Sequence, residues 1–132
     1  MKKILIIEPD HNILKNTSGF LITKGFDVIE TREGTVGVQK ALEFLPDLIL
    51  CDAESAGLNG YEVFNTLQQI NTTAIIPFIF IKNSHDYEDI KAVMRLGADD
   101  YIVKPYDLND LLNLVQTRLD KQERLITIAD EK

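Results

Sequence analysis

The fold is decided by the five residues Leu48–Asp52 (LILCD), which are followed by a glycine-containing loop that runs to Gly60. An apolar run of four to eight residues bounded by turn residues is typical of a strand that is buried on both faces of a sheet. The first polar residue after such a strand lies at the carboxyl edge of the sheet, where open α/β folds place their sites. Asp52 is therefore a candidate chemical centre. The alternative is an aspartate that only caps the turn after the strand.

Working outward from this strand, apolar runs alternate with helical patterns along the 132-residue chain. Further strands are predicted at residues 4–7, 26–30, 75–81 and 100–103. Each strand precedes a segment with apolar residues at helical spacing, so a strand and a helix occur five times in succession. Parallel strands need such crossover connections, and the pattern predicts one α/β domain with helices on both faces of a parallel sheet.

Composition excludes several classes of protein. The net charge of −7 argues against a protein that binds a nucleic-acid backbone, which needs a basic face. No apolar stretch approaches the 18 residues of a membrane span, and the apolar run after Met1 is too short for a signal peptide, so we expect a cytoplasmic protein. Cys51 is the only cysteine and is expected to be a small buried hydrophobic residue.

Charged side chains follow the predicted strands at the carboxyl edge. They are Glu8, Asp10, Asp52, Glu54, Lys82 and Lys104. Each has a structural explanation by itself, such as a helix cap or a solvated lysine, but their common location favours a site. Carboxylates suit Mg2+, and a carboxylate can also accept a phosphoryl group as an acyl phosphate. A facing lysine can neutralise the transferred phosphoryl group.

The segment Leu96–Tyr106 (LGADDYIVKPY) carries a specific resemblance. Together with its spacing from Asp52 and the acidic end of the first strand, it makes residues 2–121 resemble a two-component response-regulator receiver domain. The resemblance implies a flavodoxin-like (βα)5 three-layer sandwich with strand order 2-1-3-4-5. Residues 122–132 are expected to extend the last helix or to form a tail.

The same resemblance implies roles for individual residues. Asp52 would be the phosphoacceptor, Lys104 the phosphate-contacting lysine and Tyr101 the aromatic residue of the switch, with a cis peptide bond before Pro105. The donor would be a histidine kinase or a phosphotransfer protein. The fourth helix, fifth strand and fifth helix would form the surface for a homodimer or an output partner. At most, such a domain catalyses its own phosphoryl transfer and hydrolysis.

Two positions depart from the receiver pattern, and the first is Pro9. The predicted metal ligands are Glu8, Asp10, Asp52 and Glu54. Pro9 stands where the pattern has the acid that ligates the metal directly, and its side chain has no ligand atom. Asp10 is the candidate substitute, and Mg2+ binding is expected to be weakened or lost.

The second departure is Lys82, which stands where the pattern has a switch threonine or serine. One interpretation is that Lys82 forms an ion pair with Asp52 or Glu54 in place of Mg2+, and the other is that it extends into solvent. The ion pair would favour a degenerate pseudo-receiver, which acts as a protein-interaction module without phosphorylation. An enzyme on the same fold is disfavoured, because no Ser/Thr/Gly-rich phosphate loop follows the first strand.

Overall fold

Five parallel strands form one sheet, in the order β2-β1-β3-β4-β5, in the computed structural model, which describes residues 1–131. The strands are β1 (Lys3–Ile7), β2 (Asp27–Thr31), β3 (Leu48–Asp52), β4 (Phe78–Lys82) and β5 (Asp100–Val103). Strand order and direction confirm the flavodoxin-like sheet expected from the sequence.

Six helices connect or follow the strands. They are α1 (His11–Thr23), α2 (Gly34–Phe44), α3 (Gly60–Gln68), α4 (Asn71–Ala74), α5 (Tyr87–Arg95) and α6 (Leu108–Asp130). The predicted fourth and fifth helices are α5 and α6, because the short α4 was not expected. α6 continues through the segment after residue 121, and Lys132 lies outside the described residues.

The region between α3 and β4 corrects the sequence prediction. The spacing of Val63, Phe64, Leu67 and Ile70 in the sequence predicts a third helix that includes Ile70. Ile70 instead has extended backbone angles, and the hydroxyl of Thr73 donates to the carbonyl of Leu67 in the last turn of α3. The fourth strand was expected from residue 75, yet it begins only at Phe78, directly after Pro77. Proline lacks a backbone N–H for the ladder, so the strand starts after it.

The core consists of two layers, one on each face of the sheet. Alternate strand residues point to opposite faces. One face packs under α2, α3 and α5 and carries Leu5, Ile7, Ile49, Cys51, Phe78 and Phe80. The other packs under α1 and α6 and carries Ile4, Ile6, Leu48, Leu50, Ile79 and Ile81. Cys51 is a free buried thiol whose pKa is raised by burial, as expected for a small hydrophobic residue.

Within residues 1–131, none of the helices combines the length and the apolar character needed to cross a membrane.

Candidate functional site

Asp52 ends β3 at the carboxyl edge of the sheet and is 1% exposed. Its Oδ1 accepts a hydrogen bond from the backbone N–H of Glu54 at 2.7 Å, which forms the turn after the strand. Its Oδ2 accepts from the Lys104 ammonium at 2.6 Å. The two interpretations of Asp52 are therefore compatible, since one oxygen forms the turn and the other belongs to a charged site.

Lys104 follows β5 and lies between two buried carboxylates. Its Nζ is 2.6 Å from Oδ2 of Asp52 and 2.7 Å from Oε1 of Glu8, and its side chain is 13% exposed. Burial by itself would lower the pKa of Lys104, but the contacts of its ammonium with the Asp52 and Glu8 carboxylates outweigh burial and raise this pKa above its ordinary value. Lys104 therefore stays charged and holds the carboxylates together. The peptide bond between Lys104 and Pro105 is cis, as the resemblance implied.

Glu8 follows β1 and is 1% exposed. Its Oε2 accepts the backbone N–H of Asp10 at 3.0 Å. Its Oε1 is in ion-pair contact with Lys104 but, in the described part of the chain, has no hydrogen bond of good geometry. Burial is the largest cause that raises the pKa of Glu8, and the nearby Asp52 adds to it, while Lys104 and the Asp10 N–H oppose it. This buried carboxylate is thus incompletely compensated.

The side chains of Asp10 and Glu54 make other contacts and do not join the cluster of Glu8, Asp52 and Lys104. Asp10 is exposed and caps α1, since its Oδ1 accepts the backbone N–H of Ile13 at 3.0 Å. That hydrogen bond lowers the pKa of Asp10. Glu54 is exposed and accepts from the Asn83 side chain at 3.0 Å. Among residues 1–131, no three acidic, histidine or cysteine side chains are grouped as metal ligands.

The remaining pair, Glu8 and Asp52, still fits a magnesium ion. Mg2+ is commonly bound by one or two carboxylates together with water and phosphate oxygens. The buried Oε1 of Glu8, which lacks a good hydrogen bond, is a suitable oxygen donor. Pro9 adds no side-chain ligand, and its carbonyl accepts from the Arg32 guanidinium at 2.9 Å.

Lys82 ends β4 and is 7% exposed, so it does not extend into solvent. It also does not form the predicted ion pair, since neither Asp52 nor Glu54 lies at ion-pair distance from its ammonium. Its ammonium donates to the hydroxyl of Tyr61 and lies 5.1 Å from the centre of the Tyr61 ring. The reason is the register of the strands. Asp52 pairs with Ile81, whose side chain points towards α1 and α6, whereas Lys82 lies one residue later and points to the face that α3 covers.

Tyr61, in the first turn of α3, is the site residue that the sequence reasoning missed. Its neighbour Gly60 is the signal that could have indicated it. A Cβ on Gly60 would lie 2.6 Å from the backbone oxygen of Asp52, so only glycine lets α3 begin this close to the site. Tyr101, the predicted switch aromatic, pairs with Phe80 on the same face and is half-buried against the core there.

Comparison with known proteins gives a consistent result. The family model described as the response regulator receiver domain matches residues 4–116. The response regulator ArlR of Staphylococcus saprophyticus is 38% identical over 122 residues, which cover 92% of this chain and 54% of that protein. ArlR of Staphylococcus aureus is 34% identical over 122 residues, and the match covers the same fractions of the two chains. The chain spans about half the length of these curated relatives.

A solved structure extends this similarity to three dimensions. The CheY-like response regulator receiver domain protein from Methanospirillum hungatei has a TM-score of 0.86 and 27% identity. The match covers 94% of this chain and 98% of that chain. The similarity therefore extends over nearly the whole of both chains.

Proposed function

This chain belongs to the response regulator receiver domain family and has a receiver's role in two-component signalling, and on that premise we propose that it accepts a phosphoryl group on Asp52. The observation that carries the proposal is the buried Asp52 carboxylate at the sheet edge with the Lys104 ammonium 2.6 Å from its Oδ2. Receiver domains are generally not classical enzymes, so the proposed reactions of this chain are limited to the gain and loss of the phosphoryl group on Asp52.

The reaction would be an in-line transfer to a carboxylate oxygen. A lone pair of Asp52 attacks phosphorus, the bond from phosphorus to the donor nitrogen breaks, and the electron pair leaves with the donor imidazole. The product is an acyl phosphate, which water hydrolyses back to the carboxylate and inorganic phosphate. The Lys104 ammonium, which already contacts Oδ2 of Asp52, neutralises negative charge on the phosphoryl oxygens. When bound, Mg2+ would be held by Glu8 and Asp52 and would supply further neutralisation.

The proposed donor is a histidine kinase or a phosphotransfer protein in the cytoplasm, and the proposed output surface is α5, β5 and α6. β5 is an edge strand of half-buried residues, and Met94 in α5 and Leu96 at its C-terminal cap are exposed apolar side chains. The Arg118 guanidinium contacts Asp100 at 3.0 Å on this surface. A homodimer or an output partner would bind there, because exposed apolar groups with a polar border are typical of interaction surfaces.

The phosphorylation-independent alternative loses its main support. It required Lys82 to neutralise the acidic pocket, but Lys82 bonds Tyr61 and leaves Asp52 to Lys104. Pro9 remains the feature that weakens metal binding in the proposed function.

Intact-mass measurement after incubation with a small phosphoryl donor and Mg2+ tests the proposal. We expect a gain of about 80 Da, the mass of one phosphoryl group, in the parent protein and none in Asp52→Asn, which has the same shape but no carboxylate. Ser55→Ala is the matched control, because Ser55 is a nearby buried hydroxyl that donates to the Leu58 carbonyl. A gain that persists in Asp52→Asn, or no gain in the parent, would contradict the proposal.

A further inference from the structure

Lys82 is a buried cation without an anionic partner. Its ammonium has the Tyr61 hydroxyl and ring as neighbours, and within residues 1–131 no carboxylate lies at ion-pair distance from it. A buried charge normally has an opposite charge beside it, and a neutral phenol compensates an ammonium less well than a carboxylate does. Lys82 is therefore able to gain from an anion that comes within its reach.

The backbone of Lys82 places it beside the phosphate site. β4 lies between β3 and β5, and the N–H of Lys104 donates to the carbonyl of Lys82 at 2.8 Å. On the other side, the N–H of Ala53 donates to the carbonyl of Ile81 at 3.0 Å. A lysine has a flexible four-carbon stem, so its ammonium can turn from one face of the sheet edge to the other.

The pocket of Asp52 and Glu8 has one cation for two carboxylates. Lys104 is the cation at ion-pair distance from either of them in the described part of the chain. A phosphoryl group on Asp52 would add negative charge and three acceptor oxygens at the same edge. Lys104 offers this added charge one ammonium, which it already shares with Glu8.

We infer that Lys82 is the second phosphate-binding cation of this site, and that Tyr61 holds it in reserve until Asp52 is phosphorylated. The inference rests on the proposed function of Asp52. On phosphorylation the Lys82 ammonium leaves the Tyr61 hydroxyl and donates to a phosphoryl oxygen. No covalent bond changes in this step, and the hydroxyl of Tyr61 is released.

The release of Tyr61 gives the phosphorylation state a path to α3. The backbone N–H of Gly60 donates to the carbonyl of Ala53 at 2.9 Å. This hydrogen bond holds the backbone before Tyr61 next to Asp52. The Tyr61 ring lies 5.3 Å from the ring of Phe80, which lies 5.7 Å from that of Phe64 in α3. Movement of Tyr61 therefore changes packing on the α3 face of the sheet, in addition to the proposed output surface.

Binding of beryllium fluoride with Mg2+, a phosphoryl analogue, tests the inference in four proteins. Lys82→Met should weaken binding about tenfold, the order expected for one charge-assisted hydrogen bond. Tyr61→Phe should strengthen it a few-fold, because Lys82 no longer has to leave a hydrogen-bond partner. The double variant should match Lys82→Met, since Tyr61 acts only through Lys82.

An equivalent pair on α5 provides the control. The Lys91 ammonium lies 4.9 Å from the ring of Tyr87, which is exposed, and Lys91→Met and Tyr87→Phe should bind the analogue as the parent does. In the parent, side-chain NMR signals of Tyr61 should shift when the analogue binds, and in Lys82→Met this shift should be absent. Circular dichroism of each variant checks the fold.

The outcomes separate this inference from the proposed function. If the parent binds the analogue and Tyr61→Phe binds it equally or more weakly, the inference is wrong and the function of Asp52 stands. The inference is also wrong if Tyr61→Phe has the same effect with and without Lys82. If neither the parent nor any variant gains mass from a phosphoryl donor or binds the analogue, the proposed function fails and the inference fails with it.

Discussion

Two lysines at the ends of neighbouring strands have opposite surroundings. Lys82 and Lys104 are joined through their backbones and are both largely buried. Lys104 contacts the carboxylates of Asp52 and Glu8, whereas Lys82 contacts a phenol. The difference shows that the face of the sheet decides the partner, because a shift of one residue in a strand turns the side chain to the other side.

The largest expected effect comes from removing the paired lysine. Lys104→Met leaves Asp52 and Glu8 buried together without a cation, and we expect the free energy of unfolding to fall by about 3 kcal/mol at neutral pH. Lys82→Met removes an ammonium that has no anionic partner and should cost at most about 1 kcal/mol. Urea denaturation of both variants measures the difference. Equal losses would mean that the two lysines do not differ as described.

The contact between Lys82 and Tyr61 can be disturbed by a change in the backbone at the start of α3. In Gly60→Ala, the new Cβ would lie 2.6 Å from the Asp52 oxygen and 2.7 Å from Cα of Ala53, so the start of α3 must move and take Tyr61 with it. We expect a loss of about 2 kcal/mol, in the range of overpacking. Gly19→Ala is the control, because a Cβ there meets nothing within 4 Å and should be neutral or stabilising. A lower melting temperature for Gly19→Ala than for Gly60→Ala would contradict the close approach of α3 to Asp52.

The surroundings of Lys104 can be tested further through Glu8, whose contribution to folding stability depends on pH. Burial raises the pKa of Glu8 in the folded state above that of the unfolded chain, so its ionisation opposes folding. The folding contribution of Glu8 is therefore largest below the unfolded pKa and is lost as the pH rises through the folded pKa. Glu8→Gln should stabilise the protein by about 1 kcal/mol at neutral pH, and this gain should shrink on acidification. Urea denaturation from neutral to acid pH measures this gain in the free energy of unfolding. A gain that grew towards acid pH would contradict the effect of burial on Glu8.

The smallest effect concerns Asp10, whose side chain caps α1. Asp10→Asn keeps the cap of α1 and should leave both the melting temperature and phosphoryl transfer unchanged, whereas Asp10→Ala should lower the melting temperature by about 3 °C through loss of the cap. Calorimetry and intact mass measure the two effects. Loss of phosphorylation in Asp10→Asn would return Asp10 to the metal set.

The fold could be predicted because its signals are periodic. Buried strands such as Leu48–Asp52 are continuous apolar runs, and the helices between them force the parallel order. α4 was missed because four residues are too few for a helical period. The ends of strands were also predictable as a place for charge, which correctly brought Asp52 and Lys104 together.

The partner of Lys82 could not be predicted in the same way. The order of strands and helices predicts that all charged residues of the edge lie close together, but it does not assign each one to a face of the sheet. Lys82 and Tyr61 are 21 residues apart, and their contact depends on the register of β3 with β4 and on the close approach of Gly60 to Asp52. For Asp10, by contrast, a helix cap was one of the structural explanations that the sequence offered, and the structure shows that cap.

The most direct test of the central claim is to identify the phosphorylated residue in the parent chain. After treatment with a small phosphoryl donor and Mg2+, borohydride reduces an acyl phosphate to an alcohol, so a modified aspartate becomes homoserine. Peptide mass mapping should find homoserine at position 52 and nowhere else. Modification at another residue, or a phosphate that resists borohydride, would show that the pocket of Asp52 and Lys104 is not the acceptor site.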